Sequence, residues 1–332
     1  MNGQSESGGV IPISVVIPVY QGDATLPPLL AELEPFTEIQ RTPDGRAFRV
    51  EEVLLVWDRG PGSSDNVIRE LADRYAFVKP VWLSRNFGQH AATIAGMSSS
   101  GGEWIVTMDE DGQHDPEFFG AMLDSALDER AQLVYGAPTN PPPHGALRNA
   151  ASKITKSIFS RFLANGSFPE FNSFRLVQGE VGRSVAAFTG TGVYLDVALN
   201  WVVSDTTTCP VNLRNEGRDA GNYSLRRLFS HFGRLIVSSG TKPLLFVSWL
   251  GVIFVVIGGL TTIYILSQRI FGNIPVGGWS SMIVALMVIG GAILLSLGII
   301  AQYVGAATNM SLGKPLYIVT RDPATTFDSP ET

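Results

Sequence analysis

Residues 103–117 read EWIVTMDEDGQHDPE, a passage from an apolar run to a dense group of acids. The run EWIVTM is typical of a buried β-strand, and the ten positions 108–117 that close the passage carry five carboxylates. Neighbouring carboxylates oppose one another's ionisation unless a cation lies between them. Asp109 and Asp111 offer the hard oxygen ligands that Mg²⁺ or Mn²⁺ takes, while water or phosphate fills the other positions. The stretch therefore favours a metal site at a strand end, although a solvated acidic turn has the same composition.

A helix is predicted to begin directly after the acidic turn, because Asp115 is a favourable N-cap and Pro116 a favourable first helical residue. The spacing does not fit a calcium-binding EF-hand, whose fifth position would be Gln113 and whose invariant glycine would be His114. Two interpretations of His114 stay open: it orients a carboxylate or a ligand, or it is structural.

Short apolar runs alternate with helical stretches from residue 10 to about residue 210. We predict strands at 13–19, 51–57, 77–83, 103–108 and 131–137, separated by helical periodicity at 25–36, 63–75, 87–100 and 116–129. This alternation predicts an α/β domain, a parallel sheet with helices on both faces, in which ligands bind beyond the carboxyl ends of the strands. One rim is therefore expected to carry the polar and special residues at predicted strand ends: Pro18, Asp58, Arg85 and Asp109.

The apolar residues are concentrated near the C-terminus. Only 16% of the 332 residues are charged, none lies between Lys242 and Arg269, and a second uncharged run extends from 270 to 313. Each run is long enough to cross a bilayer core of roughly 30 Å as a helix. We predict transmembrane helices at 243–268 and 279–305, joined as a hairpin by a short turn-rich connection. Core helices of a soluble protein are the alternative interpretation.

Basic residues flank this hairpin on one side of the predicted membrane: Arg226, Arg227, Arg234 and Lys242 before it, and Lys314 and Arg321 after it. The positive-inside rule then predicts an integral membrane protein whose catalytic domain and tail, 306–332, are cytoplasmic, with the bacterial inner membrane as the expected location. Residues 223–241 have the pattern of an amphipathic helix with a basic face, which suits an anionic bilayer surface. The alternative is a helix packed on the soluble domain.

Charge and cysteine content exclude some other classes. The net charge of −6 gives no basic field that would favour nucleic acid as a partner. Cys209 is the only cysteine, so an internal disulfide and a cysteine-based zinc site are excluded. Residues 1–9 are expected to form a disordered polar tail, and 10–222 the main domain.

Four motifs in this order resemble family 2 glycosyltransferases of the polyprenyl-phosphate type: VVIPVY (15–20), LSRNFGQHAATIAGM (83–97), MDEDGQHDPE (108–117) and SFRL (173–176), ahead of the two apolar helices. The resemblance implies a GT-A fold, a Rossmann-like sheet with an Asp-x-Asp metal motif. It implies transfer of a sugar, with inversion, from a nucleotide diphosphate sugar to a polyprenyl phosphate such as undecaprenyl or dolichyl phosphate. The acceptor phosphate is already largely ionised at pH 7, so the reaction requires no strong protein base.

The same resemblance implies a set of site residues. Asp109, Asp111 and Gln113 would hold Mg²⁺ or Mn²⁺, and the two aspartates with Arg175 would be catalytic. The implied donor-binding residues are Pro18, Tyr20, Asp58, Arg85 and Asp109. The implied acceptor phosphate-binding residues are Arg148, Ser152, Arg175, Arg214 and Arg218. For each arginine, a surface ion pair is the alternative interpretation.

The chain also departs from the family pattern. In VWDRGPGSSD (56–65) Trp57 replaces the first of two aspartates, so only Asp58 remains. Gln21 and Gly22 replace an Asn-Glu pair, and Ser173 stands where some relatives carry aspartate. These departures leave the identity of the nucleotide open.

Two rival functions differ in what they require. A processive polysaccharide synthase needs a Gln-x-x-Arg-Trp motif and further membrane helices, and the sequence has neither. A scaffold that binds nucleotide sugar or recruits a flippase without turnover stays open. A homo-oligomer also stays open, since Gly258, Gly259, Gly290 and Gly291 permit close helix packing.

Overall fold

The computed structural model describes residues 9–139, 172–190, 193–214 and 278–327, with isolated positions between 251 and 267. The chain divides into two compact units, of which the first holds the described residues up to 214 and from 315 onward, and the second those from 251 to 314. Several predictions lie outside the described residues: the polar tail up to residue 8, Arg148, Ser152, Arg218, the interfacial helix at 223–241 and most of 243–268.

Among the described residues, the first unit contains one sheet of nine strands. They are β1 (Ile11–Val19), β2 (Gln40–Arg41), β3 (Ala47–Trp57), β4 (Val78–Leu83), β5 (Trp104–Thr107), β6 (Leu133–Pro138), β7 (Arg175–Gln178), β8 (Thr206–Val211) and β9 (Val319–Thr320). Its helices are α1 (Leu26–Leu33), α2 (Ser64–Arg74), α3 (Gln89–Ser99), α4 (Phe119–Asp128), α5 (Gly179–Phe188), α6 (Leu195–Val202) and α8 (Pro323–Phe327). All five predicted strands and all four predicted helices are confirmed within a few residues.

The sheet is mixed, so the prediction of a parallel sheet is only partly correct. The order is β8-β6-β7-β5-β1-β3-β4-β9, with β2 on β3, and the neighbours β5, β1, β3 and β4 are parallel. However, β7 runs antiparallel between β5 and β6, and β9 runs antiparallel on β4. These strands have four and two residues, too few for an apolar period to reveal them.

Strand alternation divides the core into two layers, one on each face of the sheet. Ile17 of β1 and Leu55 of β3 face the layer of α1, α2 and α4, where Leu30, Ile68 and Leu123 are fully or almost fully buried. On the other face, Val16 and Val56 pack with α3, α5 and α6. Burying each such side chain contributes about 1.5–3 kcal/mol, so both layers fix the positions of the strand ends.

In the second unit, the helix α7 (Trp279–Ser311) covers the predicted segment 279–305. Among the described residues, no helix meets the requirement of length and hydropathy for a membrane span. The predicted transmembrane hairpin is therefore not confirmed.

Residues 306–327, the described part of the predicted cytoplasmic tail 306–332, contain regular secondary structure. α7 extends to Ser311, β9 joins the sheet beside β4, and α8 follows at Pro323. A two-residue strand has no periodicity of its own, so its pairing could not be read from the sequence.

Candidate active site

Three loops meet where the parallel strands β3, β1 and β5 end side by side. Tyr20 follows β1, Asp58 follows β3, and the acidic turn follows β5. Glu110 joins two of these loops, because its carboxylate accepts the backbone N–H groups of Tyr20 (3.1 Å) and Gln21 (3.0 Å). The middle residue of the acidic motif is thus a link between the turn and the end of β1.

The carboxylate of Asp109 receives two side-chain hydrogen bonds. Gln89 Nε2, at the start of α3, donates to Oδ1 over 2.6 Å, and Ser173 Oγ, just before β7, donates to Oδ2 over 2.6 Å. Both donors are neutral, and none of the ion pairs among the described residues includes Asp109. The carboxylate is therefore oriented by its neighbours while its charge is left without a compensating cation in this part of the chain.

Asp111 lies in a turn that its own side chain closes. Its Oδ1 accepts the N–H of Gln113 over 3.1 Å, and Gly112 takes a positive φ of 73° that favours glycine. The backbone of Gln113 is engaged on both sides, since its carbonyl accepts the N–H of Arg214 over 3.0 Å. These bonds fix the backbone of the turn around Asp111, which is half-buried like Asp109.

His114 supports this turn from below. Its side chain is buried, it stacks on Phe174 with ring centroids 4.9 Å apart, and its Nδ1 accepts the N–H of Asp109 over 3.0 Å. Burial lowers the pKa of His114, although Asp109 and Asp111 oppose this. Because Nδ1 accepts a hydrogen bond, the neutral ring carries its proton on Nε2. His114 thus fixes the backbone of Asp109 and not its carboxylate.

Asp58 is buried and holds the loop before α3. Its two carboxylate oxygens accept the N–H of Phe87 (2.7 Å) and of Gly88 (2.8 Å). Burial raises the pKa of Asp58, while these two N–H groups and Arg85 act in the opposite direction. In this structure Asp58 organises the loop 84–88, and direct contact with a donor stays a prediction.

The other residues predicted to bind the nucleotide sugar donor lie along the same rim, and their exposure to solvent differs. Pro18 is buried within β1 and is paired with Val56, whereas Tyr20 is 47% exposed. Arg85 is exposed, with its guanidinium 4.2 Å from the centre of the Phe87 ring. Tyr20 and Arg85 are therefore accessible to a ligand, and Pro18 shapes the strand end.

Arg175 does not face the solvent. It is 3% exposed, its guanidinium pairs with Asp196 over 3.0 Å, and its Nε donates to the carbonyl of Asn172 over 3.1 Å. The hydroxyl of Tyr135 donates to the same Asp196 carboxylate over 3.1 Å. This ion pair is buried, unlike the surface ion pair of the alternative interpretation, and the implied phosphate-binding role of Arg175 stays a prediction.

Arg214 is likewise engaged by acids. Its guanidinium bonds Asp115 at 2.8 and 3.0 Å and Glu32 at 2.5 Å. With its backbone N–H on Gln113, it fastens the segment after β8 to the loop that follows the acidic turn. Arg214 forms partly exposed ion pairs, and its implied role in binding the acceptor phosphate stays a prediction.

Sequence reasoning did not identify the roles of Glu110, Gln89 and Ser173. The only signals were two departures: Gln21-Gly22 after β1 and Ser173 before β7. The structure gives Ser173 a contact through its side chain, with Asp109, whereas Glu110 binds only the backbone N–H of Gln21.

The carboxylate oxygens of the acidic turn are suitable ligands for a divalent metal that is held by two protein carboxylates. Among the described residues, no group of three or more histidine, cysteine, aspartate or glutamate side chains is arranged to hold a metal ion. Asp109 and Asp111 belong to one turn, and each carboxylate oxygen that accepts a hydrogen bond keeps a further lone pair. Mg²⁺ and Mn²⁺ suit such a site, because phosphate and water supply their remaining ligands.

A family model and several known proteins match this chain. The family model described as Glycosyl transferase family 2 matches residues 14–186. Undecaprenyl-phosphate 4-deoxy-4-formamido-L-arabinose transferase of Pseudomonas aeruginosa is 27% identical over 312 residues, covering 93% of this chain and 89% of that protein. Bactoprenol glucosyl transferase of Shigella phage SfV is 22% identical over 308 residues, covering 92% of this chain and 97% of that protein. The mannosyltransferase PcManGT from Pyrobaculum calidifontis, solved with GDP-Man and Mn²⁺, has a TM-score of 0.48 at 13% identity and covers 92% of this chain and 88% of its own.

Proposed function

The chain belongs to glycosyl transferase family 2 and is a glycosyltransferase with the GT-A fold, and from this premise we propose that it transfers a sugar from a nucleotide diphosphate sugar to a polyprenyl phosphate. The observation that carries the proposal is the acidic turn 109–111, which bonds to the end of β1 and to the start of α3. The turn follows β5 and lies beside the end of β1, and ligands bind beyond such carboxyl ends of strands in α/β sheets.

Asp109 and Asp111 would hold Mg²⁺ or Mn²⁺ in this proposal. The metal would supply positive charge that offsets the charge developing on the departing nucleotide diphosphate. The residues of the chain prepare that site: Gln89 and Ser173 orient Asp109, and His114 fixes its backbone. Glu110 keeps Tyr20 and Gln21 at a set position beside the turn.

The acceptor assignment is supported by the relatives, two of which are named for undecaprenyl phosphate and bactoprenol. In the proposed reaction an acceptor phosphate oxygen bonds to the anomeric carbon as the bond from that carbon to the donor phosphate breaks. The nucleotide diphosphate leaves with the bonding electron pair, and the anomeric centre inverts. The attacking phosphate is largely ionised at pH 7, so no proton must be removed by the protein.

Membrane attachment is a further part of the proposal. It is supported by the uncharged stretches predicted as spans at 243–268 and 279–305 and by the basic residues that flank them. On this basis the catalytic domain lies on the cytoplasmic side of a bacterial inner membrane, where a polyprenyl phosphate and a nucleotide sugar are both accessible.

A transfer assay with the full chain tests the proposal. Purified protein in detergent receives undecaprenyl phosphate, Mg²⁺ or Mn²⁺, and one donor at a time from UDP-glucose, UDP-N-acetylglucosamine, UDP-galactose and GDP-mannose. We expect glycolipid and free nucleotide diphosphate with one donor, only when both lipid and metal are present. Binding of a nucleotide sugar without turnover under all of these conditions would contradict the proposal and favour the scaffold.

A further inference from the structure

The C-terminal strand β9 closes the sheet next to a loop of the active site. Val319 pairs with Leu83 and Thr320 with Trp82, the last two residues of β4. The N–H of Ser84 then donates to the carbonyl of Ile318 over 3.0 Å. Ser84 is the first residue of the loop 84–88, so the C-terminal segment meets this loop where it leaves the sheet.

An ion pair fastens the same segment to α2. Asp322 Oδ2 accepts from Arg69 Nε and Asp322 Oδ1 from Arg69 Nη2, both over 2.8 Å. This bidentate geometry is the strongest form of a carboxylate–guanidinium pair. The Arg69 guanidinium also lies 5.0 Å from the centre of the Trp82 ring, and it lowers the pKa of Asp322. Asp322 therefore ties β9 to α2 and to β4 at once.

Apolar contacts add to this attachment. Leu316 and Tyr317, just before β9, pack on the buried cluster formed by β4, α3 and their neighbours. Phe87, in the middle of the loop 84–88, packs on the same cluster. The C-terminal segment and the loop thus share one apolar support.

The far end of the loop reaches the acidic turn. The N–H groups of Phe87 and Gly88 bond to Asp58, and the next residue, Gln89, donates to Asp109 over 2.6 Å. One end of the loop is therefore held by the C-terminal segment at Ser84, and the other end orients a predicted metal ligand.

We propose that the segment 316–322 is a positioning element of the donor site, with Asp322 as its anchoring residue. By holding Ser84, it keeps the loop 84–88 in the conformation in which Asp58 binds Phe87 and Gly88 and Gln89 reaches Asp109. Its effect on the donor rests on the proposed function, whereas its effect on the loop does not.

The variant Asp322→Asn in the full chain tests this proposal. Asparagine keeps an oxygen that can accept the N–H of Ala324, which Asp322 binds in the structure, but it loses the charge that pairs with Arg69. The matched control is Asp65→Asn, which removes the other carboxylate that contacts Arg69, at 3.0 Å, and leaves the C-terminal segment attached.

Amide hydrogen exchange at Ser84, Phe87 and Gly88 is measured first, because it needs no substrate. Loss of a partly exposed bidentate pair is expected to speed exchange at all three amides about fivefold in Asp322→Asn. In the same variant the dissociation constant of the accepted nucleotide sugar with Mn²⁺ is expected to rise about fivefold, with Asp65→Asn within about twofold of the native chain.

Three results would overturn the proposal. They are unchanged exchange at Ser84, faster exchange at Ser84 without a change at Phe87 and Gly88, or faster exchange at all three amides with unchanged donor affinity. If the native chain binds no nucleotide sugar at all, the proposed function fails, and the exchange comparison still decides whether the segment positions the loop.

Discussion

Acidic side chains at the two ends of the parallel strands, which we call the amino edge and the carboxyl edge of the sheet, differ in how their charges are compensated. Near the amino ends of β4 and β5, Glu52 is 4% exposed and accepts hydrogen bonds from Ser14 Oγ (2.7 Å), the N–H of Gly101 (2.6 Å) and Lys79 Nζ (2.5 Å). At the carboxyl edge, Asp109 and Asp111 receive only neutral donors from the described residues.

The difference separates an acid whose charge is compensated within the fold from two acids whose proposed role is to bind a metal. Burial would raise the pKa of Glu52, but the bonds from Lys79, Ser14 and Gly101 leave that pKa below its ordinary value. Its charge is thus compensated within the fold. The charges of Asp109 and Asp111 gain no such partner in the described part of the chain, so a cation from outside would complete them.

The largest expected effect comes from removing one charge at the carboxyl edge. Asp111→Asn should lower the rate of transfer on the order of 10³-fold, because it removes a proposed metal ligand while leaving the turn able to form. Initial rates with Mn²⁺ and with Mg²⁺ measure the change, and thermal unfolding should match the native chain. Turnover retained with Mn²⁺ would rule out the metal assignment.

At the opposite edge, Glu52→Gln should affect stability and not catalysis. Lys79 is 60% exposed and is rehydrated when its partner is lost, so the loss comes mainly from weaker hydrogen bonds to the buried side chain at position 52. We expect the free energy of unfolding to fall by about 1 kcal/mol at pH 7. Urea unfolding measures this loss, with the transfer rate as the second readout. A large fall in transfer rate at unchanged stability would contradict the division between the two edges.

The pH dependence of Glu52 follows from the direction of its pKa shift. Because its pKa is lowered in the folded state, its stabilisation is present above the pKa of the unfolded chain. That stabilisation is lost as the pH falls through the lower, folded value. The unfolding free energies of the native chain and of Glu52→Gln should therefore converge in acid.

Glu110 is an acid of the carboxyl edge that we expect to position the backbone of Tyr20 and Gln21, and its variants test this role. Glu110→Ala removes the acceptor for the N–H groups of Tyr20 and Gln21, and we expect the donor KM to rise about tenfold with a smaller change in kcat. Glu110→Gln keeps one acceptor oxygen and should recover part of the loss. The control is Glu117→Gln, an exposed acid of the same stretch. Equal effects at both positions would indicate a general charge effect.

The sequence predicted what lies in long runs or in adjacent residues, and it did not predict what depends on distant pairing. Strands β1 and β3 were found because nine and eleven residues carry a clear apolar pattern, whereas β7 and β9 were too short. The acidic turn was found as a motif. The return of Phe87 to Asp58 joins residues 29 apart, and Glu110 meets Tyr20 across 90, so no local spacing reveals either contact.

Arg175 shows the same limit for a charge. A resemblance of motif implied that it binds phosphate, but its environment depends on Asp196, which reaches it only when β7 and α6 come together. The motif therefore identified Arg175 as a residue of interest, whereas its contact with Asp196 depends on tertiary packing.

The smallest expected effect concerns Arg214, a cation at the carboxyl edge whose charge is already matched by Asp115 and Glu32. If these ion pairs are its role, Arg214→Gln should change the acceptor KM by less than about threefold, since partly exposed pairs contribute little.

The matched control is Arg46→Gln, which removes a similar arginine bound to Asp124 and Asp128 away from the acidic turn. A rise of about tenfold in acceptor KM in Arg214→Gln alone, at constant donor KM, would show that the arginine leaves its acids to bind phosphate. The carboxyl edge would then contain a third kind of charged group, an arginine whose ion pairs break when a ligand binds.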